Sequence, residues 1–203
     1  MQELDFSPEN CPLPKHVGRF LRAVDRRMDD AFHHLQGDHQ GFIPADYVLV
    51  YQALHTLQER SLACGDRFLE WGCGIGAVAG MASMLGFESY GIEIDSFLVE
   101  QAEELLEQFG LETEIVNGSF IPEGSERLID VAYRESQETL NLDTSIDDAY
   151  RCLGIDLEDV DVVFVFPWPN DEPLCRELFR RHAGRGALLL TYDQTQGIRL
   201  FRK

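Results

Sequence analysis

Residues 68–80, FLEWGCGIGAVAG, limit the fold of this chain more tightly than any other stretch. Apolar residues run into Glu70, then into Gly72, Gly74 and Gly76 at every second position, then into small helix-forming residues. Glycines at this density let a backbone turn sharply and approach a ligand with no side chain between them. A strand that breaks into such a loop and reopens as a helix is the opening unit of a parallel α/β sheet.

The rest of the chain repeats that alternation. From Asp66 onward the sequence reads as RFLEW (strand), AVAGMASML (helix stopped at Gly86), SYGIEI (strand), FLVEQAEELLEQF (helix capped by Asp95 or Ser96 and stopped at Gly110) and ETEIVNG (strand). A less regular acidic stretch, 121–161, holds three basic and twelve acidic residues. DVVFVF then reads as a doubly buried central strand, EPLCRELFRRHAG as a helix, ALLLTY as a strand and IRLFRK as an edge strand. The expected architecture is a three-layer α/β sandwich with a mostly parallel, Rossmann-like sheet. Counting strands from RFLEW, the order is 3-2-1-4-5, with IRLFRK antiparallel beside the fifth.

Upstream, residues 1–15 read as a loose Pro-rich arm. HVGRFLRAVDRRMDDAFHHL carries Val17, Phe20, Leu21, Val24, Met28, Phe32 and Leu35 at helical spacing. After the break QGDHQGF comes a second helix, PADYVLVYQALHTLQERSL, opened by Pro44 with Asp46 in its first turn. At 203 residues the chain is expected to form one domain, with arm and helices over 1–60 and a ligand-binding core over 61–203.

Charge narrows the partners. With 17 Lys and Arg against 36 Asp and Glu, the net charge is −19, which repels phosphate backbones. Nucleic acid is a disfavoured partner; small molecules or basic proteins fit better. Arg19, Arg22 and Arg26 share a helical face and Arg199, Arg202 and Lys203 close the chain, both as ordinary solvated charge. The five cysteines (Cys11, Cys64, Cys73, Cys152 and Cys175) form no CxxC pair, which suits neither a disulfide framework nor a zinc site. The start, MQELDFSPEN, lacks the regions of a signal peptide and no apolar run approaches spanning length, so the expectation is a cytoplasmic protein without a membrane segment or metal.

Two ligand classes are held by glycine loops of this kind, dinucleotides and S-adenosylmethionine. Gly72, Gly74 and Ala77 satisfy G-x-G-x-x-G/A, and Glu93 follows where an acid would hold a ribose. However, Glu70 at the strand end would repel a pyrophosphate and welcome a sulfonium and an amino group. Some 65 residues precede the loop and little chain follows it for a second substrate domain, which puts an NAD-dependent oxidoreductase third among the readings.

At these residues the chain resembles the class I S-adenosylmethionine-dependent methyltransferases. EWGCGIG is similar to their first motif, [D/E]-x-G-x-G-x-G, and YGIEID to their second. The resemblance implies a cofactor site built from Glu70, Gly72, Gly74 and Gly76, with Glu93 on the ribose hydroxyls and Ile94 against the adenine. VNGSF resembles the next strand end, which would bring Gly118, Ser119 and Phe120 to the adenine. GFIPADYVLVYQAL resembles a helix laid over the methionine moiety, which would bring Asp46 and Tyr47 near the cofactor. FPWPND, at 166–171, stands where many amine methyltransferases carry [D/N]-P-P-[Y/F]. Here Phe166 replaces the polar residue, which argues against adenine-N6 or glutamine-amide methylation. Trp168 is a candidate acceptor wall, with a plug at the sheet end as its alternative; Tyr192 and Asp193 are the remaining polar candidates. No histidine is assigned as a base. The expected function is methyl transfer to a small molecule or a basic protein side chain. A catalytically silent cofactor-binding protein on the same fold is the second reading.

Overall fold

The computed structural model describes residues 1–34, 45–135, 142–143, 145–168 and 170–203. Strand β1 (Gln2–Leu4) and helices α1 (Lys15–His34) and α2 (Tyr47–Glu59) precede the alternating core. The core runs β2 (Arg67–Trp71), α3 (Ala77–Met84), β3 (Glu88–Glu93), α4 (Ser96–Phe109) and β4 (Thr113–Asn117). It continues through α5 (Glu126–Glu135), α6 (Ala149–Leu153), β5 (Val162–Val165), α7 (Glu172–His182), β6 (Leu188–Asp193) and β7 (Gly197–Arg202).

The seven strands form one sheet in the order β1-β7-β6-β5-β2-β3-β4. Strands β4, β3, β2, β5 and β6 are mutually parallel, in the order the alternation predicts. β7 runs antiparallel to β6, again as expected. It is not an edge, because β1 pairs outside it, with Gln2 opposite Arg202 and Leu4 opposite Leu200. The expectation of a loose arm is corrected along the same segment. Glu9 donates its N–H to Thr56 Oγ1 at 2.8 Å, and Gln52 Nε2 donates to the Cys11 carbonyl at 3.1 Å. A three-residue strand is too short to carry an alternation, and it is specified by its partner rather than by its own sequence.

Burial follows the two faces of the sheet. Phe68 and Phe164 point to one face and pack with α1, α2, α3 and α4; Leu69, Trp71, Val163 and Val165 point to the other and pack with α5, α6 and α7. Crossovers through α3 and α4 carry the chain from β2 toward β4; those through α5, α6 and α7 carry it the other way, to β5 and β6. The order therefore reverses between β2 and β5, and ligands of open α/β sheets bind beyond the carboxyl ends of the strands at such a point. α2 is capped by Asp46, whose Oδ1 accepts the Leu49 N–H at 3.0 Å, so Asp46 precedes the first turn rather than lying in it. Pro44 and the 36–42 break lie outside the described residues. The acidic stretch contributes α5, α6 and a 3-10 turn at Leu157–Asp159, short elements that the pattern alone does not separate. No helix among the described residues is long and apolar enough to cross a membrane.

Gly91, in the middle of β3, lets the glycine loop settle on the sheet. A Cβ there would lie 2.6 Å from Ile115 Cδ1 and 2.8 Å from Cys73 Sγ. Both neighbours are buried, so Gly91→Ala is expected to lower unfolding free energy by about 1–3 kcal/mol through overpacking, measured by urea denaturation.

Candidate functional site

Glu70 is the fourth residue of β2 and is 5% exposed. Its Oε2 accepts the Ala79 N–H at 2.7 Å, in the first turn of α3. Gly76 caps that helix but offers no side-chain bond, so a carboxylate from the neighbouring strand satisfies the free N–H instead. The chain between them must double back in a few residues. Gly72, Gly74 and Gly76 do this with φ of 67°, 54° and 73°, in the left-handed region that only glycine enters without strain. The Gly72 and Cys73 N–H groups bond to the Ile92 carbonyl at 2.9 and 3.1 Å, tying the loop to β3.

Glu93 closes the loop from the other side. Its Oε2 accepts the Gly74 N–H at 2.7 Å and its Oε1 the Asp95 N–H at 3.0 Å. Burial raises both carboxyls above the ordinary carboxylate range. For Glu70 the Ala79 N–H opposes the shift and the charge of Glu93 adds to it; for Glu93 the N–H groups of Asp95 and Gly74 oppose it. Burial also pushes the Cys73 thiol well up, with both acids adding to it, so Cys73 is an inert filler. Tyr47, the first residue of α2, has the pKa of its hydroxyl raised by burial and by the charges of Glu70 and Asp25.

The adjoining strand end is laced to this corner. Asn117 Nδ2 donates to the Glu93 and Ile94 carbonyls at 3.0 and 2.9 Å, and the Gly118 N–H to the Glu93 carbonyl at 2.9 Å. Ile94 is 47% exposed and faces outward beside them. Ser119 is buried, and its N–H is held at 2.6 Å by Asp147, which reaches back from the acidic stretch and also accepts the Ala149 N–H at 3.0 Å. Phe120 stacks on Trp71, centroids 5.0 Å apart and planes 9° from parallel. Trp71 Nε1 donates to the Tyr150 hydroxyl at 3.0 Å, which donates to the Phe120 carbonyl at 2.7 Å. Asp147, Trp71 and Tyr150 are the residues that sequence reasoning missed. The only signal for Trp71 was its place between Glu70 and Gly72.

Across the switch point lies FPWPND. Phe166 and Tyr192 meet edge to face at 4.8 Å, and Tyr192 is buried to 9% exposure. Asp193 Oδ1 accepts the N–H groups of Thr195 and Gln196, both at 2.8 Å, and so serves the turn into β7. Trp168 is 38% exposed, so it does not plug the sheet. His182, at the end of α7, lies 3.0 Å from Ser125 Oγ through its Nε2, away from this corner. Among the described residues no group of His, Cys, Asp and Glu is suited to a metal ion.

Two measurements follow from burial. A carboxyl that binds its proton more tightly in the folded than in the unfolded chain contributes stability that is lost as pH rises from the ordinary value of 4.5 through the raised one. Glu70→Gln keeps an oxygen for Ala79 and has no proton to lose. It is expected to flatten this decline, read by urea unfolding across pH. Trp168→Ala is expected to cost under about 1 kcal/mol, in contrast to the loss from emptying a core aromatic site, read by thermal unfolding.

No protein-family model matches the chain, and no curated protein matches it. Solved structures do. An O-methyltransferase from Bacillus cereus in complex with SAH is 14% identical, with a TM-score of 0.53, over 92% of this chain and 69% of that one. A methyltransferase from Geobacter sulfurreducens is 15% identical, with a TM-score of 0.53, over 95% of this chain and 93% of that one. An SAH-bound methyltransferase from Podospora anserina is 13% identical, with a TM-score of 0.54, over 90% of this chain and 64% of that one. The chain spans about two thirds of the length of the O-methyltransferases it matches. Together with the strand order and the glycine loop at its switch point, these matches show that the chain has the fold of the class I S-adenosylmethionine-dependent methyltransferases.

Proposed function

We propose that the protein binds S-adenosylmethionine and transfers its methyl group to a neutral or cationic acceptor. The observation that carries this reading is the buried Glu70 carboxylate at the start of α3. A dinucleotide site needs those N–H groups, and the positive end of the helix dipole, for its pyrophosphate. Here an acid already holds them, and a second acid, Glu93, flanks the loop. Among the described residues, no Lys, Arg or His is hydrogen-bonded to either carboxyl or paired with it, so a ligand carrying positive charge fits the corner and a pyrophosphate does not.

The residues present suit the cofactor. The Glu93 carboxyl is met by the N–H groups of Gly74, Asp95 and Ile94 and, with about four acceptor sites, retains capacity for a ribose hydroxyl. Ile94, Ser119 and Phe120 are assigned to the adenine side, Tyr47 to the methionine side, and Gly72, Gly74 and Gly76 to backbone approach. When bound, S-adenosylmethionine supplies a methyl group already activated on a sulfonium. What falls to the chain is to align the acceptor and exclude water. Trp168 is the assigned acceptor wall, and Tyr192, packed edge to face on Phe166, is the second assigned residue. The preference against nucleic acid rests on charge alone, and the fold does not bear on it.

A second reading keeps the cofactor and drops the chemistry. It is favoured by Phe166, which packs on Tyr192 where a polar group would receive the hydrogen of an acceptor amine. Methyl release from labelled S-adenosylmethionine across an acceptor panel separates the two. Calorimetry tests the cofactor itself: SAH is expected to bind and NAD is not. Glu93→Ala is expected to weaken SAH binding by about 1.5–3 kcal/mol, the range for hydrogen bonds to a charged group, with folding retained. Unchanged affinity would reduce Glu93 to a brace for the Gly74 turn.

A further inference from the structure

We propose that Arg199 is a positioning residue that ties the amino-terminal strand to the loop carrying Trp168. This inference rests on the reading of 166–171 as the acceptor side. Arg199, on β7, donates from Nη1 to Glu172 Oε1 at 2.9 Å, and from Nε and Nη2 to the two carboxylate oxygens of Glu3 at 2.9 and 3.0 Å. One guanidinium thus joins β1 to the first residue of α7. Its planar fork suits two carboxylates at once, which an ammonium cannot match. The arrangement is partly shielded, with Arg199 side-chain exposure at 20% and Glu172 at 25%. Below it lies the fully buried Phe201 ring, with the Arg199 and Arg176 guanidinium carbons 4.9 and 4.4 Å from its centroid.

Glu172 follows Asp171 directly, and the Asp171 N–H bonds to the Trp168 carbonyl at 3.0 Å. Asn170 has φ of 79°, in the left-handed region that few non-glycine residues enter. At Glu172 the nearer guanidinium is that of Arg199, at 2.9 Å; Arg176 stands farther, at 3.9 Å. Residues that hold a site from behind in this way set its geometry without touching the ligand.

Acrylamide quenching tests the link, because the protein has two tryptophans, Trp71 at 1% exposure and Trp168 at 38%. The quenchable emission therefore reports Trp168. Arg199→Ala, Glu172→Gln and Glu3→Gln are each expected to raise the quenching constant, by about twofold for Arg199→Ala, as the loop loosens. Arg199→Lys is expected to restore it only in part. Arg180→Ala, which breaks an exposed pair with Glu177 on the same helix, is the control and is expected to leave it unchanged. Calorimetric affinity for SAH is expected to stay within twofold of the parent in every variant that folds. A purely edge-closing role would lower melting temperature without altering Trp168 quenching, and that result in Arg199→Ala overturns the proposal. Should that variant fail to fold, unaltered quenching in both Glu172→Gln and Glu3→Gln overturns it equally. Absence of SAH binding to the parent protein would instead overturn the cofactor reading and leave the quenching comparison intact.

Discussion

The structure is organised around one hydrogen bond, from the Ala79 N–H to the buried carboxyl of Glu70. An acid placed under the first turn of a helix, in the middle of a sheet, is costly unless its oxygens are met. Meeting them fixes how close α3 comes to β2, and that distance leaves the connecting chain no relaxed path except through left-handed positions. The three alternating glycines follow from this, as does the open space above Gly91 on which Cys73 rests. Glu93 then closes the far side by holding the Gly74 N–H. Every part of the corner answers to the same buried carboxyl.

Local chemistry explains why the sequence disclosed this corner so readily. Glycine at positive φ, an acid before it and a second acid at the next strand end are all signals confined to a short window, and the structure places Glu70, Glu93 and the loop together. The alternation of apolar runs did the same for the parallel strands; RFLEW matches β2 residue for residue. What stayed hidden depends on contacts between distant segments. Nothing in QEL marks a strand until β7 is beside it. Asp147 is one acid among many in its stretch, and only the folded chain brings it to Ser119. Trp168 could be read from sequence as a plug or a wall, because exposure is a property of the assembled sheet end.

Charge is distributed unevenly between structure and site. Arg27, Arg60, Arg67, Arg176, Arg180 and Arg199 are engaged with acids on helices, strands and the amino-terminal segment. Such pairs near the surface contribute little to stability singly, but they consume the basic residues of an already acidic chain. The glycine corner is left with acids and backbone N–H groups. The acidity of the corner is thus a property of how few cations the sequence has and where the fold places them.

The pairing of β1 with β7 also sets an order of events. β1 is made well before the strand it pairs with, and the contact between Glu3 and Arg199 spans 196 positions. During synthesis the first strand must wait without a partner while the parallel core assembles, since non-local pairing is the slowest part of sheet formation. When β7 docks on β6, its outer edge presents open N–H and C=O groups until β1 arrives, and an uncovered edge is a template for any other chain nearby. The three residues of β1 therefore act as a seal on β7, supplied by a segment made long before the edge it covers.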